Sequence, residues 1–82
     1  MACNSIMVIK IDGRSAKAPA VQTVLTEFGC IIRTRLGLHE TDSVCSETGL
    51  LILQLCGDEN YKELEKALNA IEGVKAKLVE LD

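Results

Sequence analysis

Residues 50–56 read Leu50-Leu51-Ile52-Leu53-Gln54-Leu55-Cys56, and Gly57 follows. An apolar run this short is too brief for a helix of ordinary length. It also lacks the alternation of a strand with one wet face. It is expected to be a central strand, buried on both sides. Downstream, Asp58 is a candidate N-cap. Tyr61, Leu64, Leu68 and Ile71 then form a stripe at helical spacing, with Lys62, Glu63, Glu65 and Lys66 opposite. Gly73 closes that helix. Val74 to Leu81 alternates again, with Lys75 and Lys77 on one face, as suits a final edge strand.

Upstream of the run, Glu40 to Gly49 is polar and rich in turn formers, the composition of a long hairpin loop. Cys30 to His39 alternates before it. Ile32, Thr34, Leu36 and Leu38 make an apolar face, and Ile31, Arg33, Arg35, Gly37 and His39 a basic one. Further upstream, Val21, Leu25 and Phe28 mark a helix within Ser15–Phe28, with Gly29 as its stop. Pro19 is expected in the first turn, where its missing N–H is harmless, so the helix should begin nearer Lys17. Ser5 to Asp12 is β-branched and apolar and ends at Asp12-Gly13, a strand and its turn.

The order is therefore β-α-β-β-α-β, with a weak repeat of strand-helix-strand over residues 5–38 and 50–81. Two such halves interleave into a ferredoxin-like α+β fold. Its four-stranded antiparallel sheet has the order 4-1-3-2, with both helices on one face. At 82 residues the chain is expected to be a single domain, 1–82.

Of these residues 48% are hydrophobic but only 2% aromatic, so the core must be aliphatic and no platform for base stacking exists. The net charge is −3 and the pI about 5.1, which argues against direct nucleic-acid binding. No stretch is long enough to span a membrane. Cys3, Cys30, Cys45 and Cys56 match no zinc spacing. Met1 to Ser5 has no basic start and Ile6–Ile11 is too short for a signal core. These features predict free thiols in a cytoplasmic protein.

The helices of this fold cover one sheet face only, and the central strands have apolar residues to turn either way. The third strand presents Leu51, Leu53 and Leu55, or Leu50, Ile52 and Cys56. The first presents Ile6 with Val8, or Met7 with Ile9. An uncovered apolar face marks a partner surface. It predicts a homo-oligomer, a two-fold dimer in the simplest case; the alternative is that one long side chain or loop of the same chain folds over the patch.

Several segments carry a resemblance: Asp12-Gly13-Arg14-Ser15 at the start of the first helix, Ile31-Ile32-Arg33-Thr34-Arg35-Leu36-Gly37, Ala67-Leu68 through Ile71, and Gly73-Val74-Lys75 with Lys77. Through them nearly the whole chain resembles the small stand-alone regulators named for the iron-only hydrogenase system. These are similar to the C-terminal domain of the nickel-responsive repressor and related in fold to ACT domains. Arg35-x-Gly37 is the most specific element. The resemblance implies a ferredoxin-like fold, a homodimer or tetramer, and a regulatory role. The repressor's DNA-binding domain has no counterpart in these residues, so transcriptional regulation would act through a partner protein. The family often has a proline where this chain has His39. The repressor holds nickel with several histidines and a cysteine, whereas this chain has one histidine.

The candidate ligand-binding residues are Asp12, Gly13, Arg14, Arg33, Arg35 and Gly37. In ACT domains the loop after the first strand contacts a small effector, and a helix N-terminus favours anions. Gly13 alternatively serves only the turn. Arg33 and Arg35 can grip a carboxylate or phosphate, or pair with acidic residues of a neighbouring chain. His39 and Cys45, beside Asp42 and Glu47, are the candidate metal ligands, with two per chain and four in a dimer. No cofactor is called for beyond such a metal ion. No nucleophile, phosphate loop or acid–base pair is assembled, so no enzyme is expected. The leading expectation is an oligomeric regulatory or ligand-sensing module. The alternatives are a structural protein-interaction domain and a metal-binding protein using His39 and Cys45.

Overall fold

The computed structural model describes residues 3–38, 49–57 and 60–81, excluding the side chains of Arg14 and Ser15. The elements are β1 (Ser5–Ile11), α1 (Arg14–Glu27), a 3-10 turn (Gly29–Ile31), β2 (Ile32–Leu38), β3 (Gly49–Leu55), α2 (Tyr61–Asn69) and β4 (Val74–Glu80). The sheet order is β2-β3-β1-β4, antiparallel throughout. This is the expected 4-1-3-2 arrangement. The expected 40–48 part of the hairpin loop, and Asp58, lie outside the described residues.

Alternation along β1 sends Met7, Ile9 and Ile11 into the core, where they meet Leu53 and Leu55 of β3, Val21 and Leu25 of α1, and Tyr61, Leu64 and Leu68 of α2. The opposite set stays on the open face. β3 is central as expected but is not buried on both sides. Leu53 and Leu55 are buried, whereas Leu50, Ile52 and Gln54 are only half-buried because no helix lies over that face. The choice left open by the sequence is thereby decided: Leu50 and Ile52 face outward with Ile6 and Val8.

Three local expectations are revised. Helix α1 begins at Arg14, not near Lys17, because Gly13 adopts a left-handed conformation (φ 69°) and its carbonyl accepts from the N–H groups of Ala16 and Lys17 at 3.0 Å each. Pro19 consequently lies past the first turn and removes one helical hydrogen bond. Helix α1 ends at Glu27 with Phe28 as its cap, and Gly29 opens the 3-10 turn instead of serving as a left-handed stop. Cys30 and Ile31 thus lie outside β2. Helix α2 is preceded by Asn60 in the N-cap position, itself at φ 70°.

Pairing in β2 slips between Ile32 and Thr34, leaving a bulge at Arg33. Ile32 lies opposite Leu55 and packs against the core, while Thr34, Leu36 and Leu38 lie opposite Gln54, Ile52 and Leu50 on the open face. One extra residue exchanges the faces, so the unbroken alternation expected over Cys30–His39 does not hold.

The free-thiol expectation is overturned for two cysteines. Cys3 and Cys56 form a disulfide across a sequence separation of 53. Their pairing follows from strand register: Ser5 lies opposite Leu55, so the residue just after β3 falls beside the segment just before β1. Cys30 is free and exposed.

Candidate functional site

Strand β2 is the least covered part of the sheet. From Arg33 to Leu38 every residue is exposed, including Leu36 at 51% and Leu38 at 43%. The cause lies in α1. Ala16, Ala18, Pro19 and Ala20 are exposed, and firm packing begins at Val21 and Leu25. The N-terminal half of the helix therefore leaves a space over β2. There a cavity of about 170 Å³ opens between Ala18, Val21 and Gln22 on one side and Arg35, Gly37 and Leu51 on the other. Its walls are mostly apolar. Arg35 is part of its lining, and the guanidinium donates to Gln22 Oε1 at 2.7 Å. A Cβ on Gly37 would come 3.4 Å from Leu51 Cδ2, an ordinary contact distance.

The two sheet edges differ. On β4, Asn69 of α2 donates to the Ala76 carbonyl at 3.0 Å and accepts from the Ala76 N–H at 2.8 Å. Glu65 accepts from the Leu78 N–H at 2.7 Å. These side chains satisfy backbone groups that turn away from β1, closing that edge to further strands. On the other side, the Cys56 N–H donates to the Ile31 carbonyl. Alternation from that bond makes Thr34, Leu36 and Leu38 the residues that bond to β3. Arg35 and Gly37 then turn their backbone groups outward. No described residue guards them.

Of the sequence-predicted ligand residues, Arg35 and Gly37 thus come together at one cavity. Arg33 is exposed at the bulge and is not paired with Arg35 by the strand pleat. Asp12 and Gly13 form the β1–α1 turn. The Asp12 N–H donates to the Gly73 carbonyl at 2.8 Å, and its carboxylate lies 3.9 Å from Lys10 Nζ. The Arg14 side chain, His39, Asp42, Cys45 and Glu47 lie outside the described residues. Among the described residues no three His, Cys, Asp or Glu side chains gather for a metal, and no helix is long and apolar enough to cross a membrane.

Sequence reasoning missed Gln22, since a polar residue on the outer flank of a helix gives no sign of its partner. It also missed the edge role of Asn69 and Glu65. The grouping of Lys10 with Lys75 and Lys77 was within reach, because the 4-1-3-2 order makes the first and last strands neighbours.

No known family model and no curated protein matches the chain. Among solved structures it is similar to the uncharacterized protein TM1266 from Thermotoga maritima. The two are 23% identical over 95% of each chain, with a TM-score of 0.80. At this identity the likeness establishes a shared fold.

Proposed function

We propose that this chain is a homodimeric ligand-sensing module that takes a small organic acid at Arg35 and acts on its target through a partner protein. The reading rests on one observation: β2 is exposed on both faces from Arg33 to Leu38, its outer edge is unguarded among the described residues, and the arginine cavity opens against it. Strand addition at such an edge supplies main-chain hydrogen bonds. A second β2 running antiparallel across a two-fold axis is the self-complementary way to provide them. Seating the second copy here rather than on the open face avoids a mismatch, since the strand positions of that face hold Lys10, Lys75 and Lys77 and no acidic residue.

The cavity is small beside the roughly 300–1,000 Å³ of drug-sized sites. It suits a carboxylate on a short apolar body. Arg35 would exchange its bond to the neutral Gln22 amide for a charge-assisted pair with the ligand. This reading agrees with the resemblance to the hydrogenase-system regulators. The role is regulatory and not catalytic, and it needs no cofactor.

Light scattering and thermal shift test it together. The wild-type chain should be a dimer at tens of micromolar. Gly37→Pro, which removes only an outward N–H, should give a folded monomer. A panel of amino acids and short carboxylic acids should raise the melting temperature of wild type, and Arg35→Ala should lose that response while keeping its own fold. A wild-type monomer with no response to any acid would refute the reading.

A further inference from the structure

The open sheet face has a pattern that the β2 edge does not explain. Its three rows, read from β2 across to β4, are Thr34–Gln54–Ile6–Val79, Leu36–Ile52–Val8–Lys77 and Leu38–Leu50–Lys10–Lys75. The apolar members form a diagonal band from Leu38 and Leu50, through Leu36, Ile52 and Val8, to Ile6 and Val79. One flank of the band is uncharged, formed by Thr34, whose hydroxyl donates to Gln54 Oε1 at 2.9 Å. The other flank is Lys10, Lys75 and Lys77.

Those lysines sit against their own interests in an isolated chain. Lys10 and Lys75 are directly opposite on adjacent strands, a placement in which like charges repel. Among the described residues Lys10 has one ion pair, the exposed 3.9 Å contact to Asp12, which contributes little. Lys75 and Lys77 have no ion pair among the described residues. Acidic residues outnumber basic ones, twelve to nine, yet none of the twelve positions on this face is acidic.

We infer that the open face docks an acidic amphipathic helix of a partner protein, laid along the diagonal band with its carboxylates over Lys10, Lys75 and Lys77. The band crosses three strand spacings and two rows, a length of roughly 20 Å. A helix of about 13 residues spans that distance, and its width of about 10–12 Å matches the band with one flank in reach of the lysines. Charge complementarity selects this occupant over a second copy, whose own twelve strand positions on this face would bring three lysines and no acidic residue. A nucleic acid is disfavoured because the basic groups occupy one corner beside an aliphatic surface with no aromatic ring. The inference does not depend on ligand binding at Arg35 or on pairing at the β2 edge.

The test uses two fluorescein-labelled 14-residue helical peptides with the same leucine stripe, one with glutamates along a flank and the other with lysines there. Fluorescence anisotropy with the full chain at low salt should show the glutamate peptide binding at least tenfold more tightly. Raising the salt should narrow that gap. Lys75→Glu combined with Lys77→Glu should reverse the preference, and Leu36→Gln should weaken both peptides. These are surface changes, and circular dichroism verifies that each variant stays folded. Equal binding of the two peptides, or no binding of either, overturns the inference. So does conversion of a wild-type dimer to a monomer by Val8→Gln, which lies on β1 away from the β2 edge and would assign the face to a second copy.

Discussion

Reducing the Cys3–Cys56 bond should be the most destabilising covalent change available to this chain. The bond closes a loop across a separation of 53 residues, comprising β1, α1, β2 and β3. In the chain-entropy treatment, a loop of that length withdraws about 14 cal/mol/K from the unfolded ensemble, or about 4 kcal/mol at 25 °C. Residual compactness of the unfolded chain brings the expectation to about 3–4 kcal/mol. A domain of this size gains roughly 0.17 kcal/mol/K of entropy on unfolding, so the melting temperature should fall by about 15–25 °C. Small domains have little stability in reserve, and a loss of that size would leave much of the chain unfolded at 37 °C. The assay is a thermal melt followed by circular dichroism, comparing oxidised wild type, wild type in a phosphine reductant, and Cys3→Ser with Cys56→Ser. A non-reducing peptide map should contain one fragment joining Cys3 to Cys56. Alkylation before lysis reports whether the bond exists in the cell. Cys30→Ser is the control and should leave the melt unchanged, because that thiol is exposed and unpaired. Absence of the linked fragment, or a shift below about 5 °C on reduction, would refute the register argument that places these residues together.

Three further outcomes follow from the packing. Gly73→Ala should cost about 1–3 kcal/mol in urea unfolding, since Gly73 has φ 84° and a Cβ would meet the Asp12 carbonyl oxygen at 3.0 Å. Leu64→Ala should cost about 2–5 kcal/mol, because Leu64 is fully buried between the helices and the sheet; a smaller loss would show the core collapsing around the cavity. Asn69→Ala should cost about 1–3 kcal/mol through two lost bonds to Ala76, and light scattering should detect added association through the uncovered β4 edge.

Much of the architecture was legible in the order of residues. The run at 50–56 declared a central strand, the alternation at 74–81 an edge strand, and the stripe from Tyr61 to Ile71 a helix. The last two report a local period, 2 or 3.6, that any packing must honour; the first reports a short apolar run bounded by a breaker. Errors fell where a contact between distant residues, or one backbone angle, decided the outcome. Gly13 in a left-handed conformation started α1 early and left Pro19 inside it. The bulge at Arg33 moved Ile32 to the core face and uncoupled it from Leu36 and Leu38. At the candidate site, Arg35 and Gly37 were visible as a motif. Their cavity was not, because it exists only where the first half of α1 stands off from β2.

The order of residues alone was enough to set the number and kind of the elements, their interleaved order, and the presence of more apolar surface than two helices can cover. These follow from periodicity and composition, which are properties of neighbours along the chain. Only the tertiary structure decided which apolar set of β3 faces outward, which cysteines pair, which sheet edge is closed and where the three lysines gather. Each of those depends on the register between strands far apart in sequence. A shift of one residue in that register turns every side chain to the opposite face.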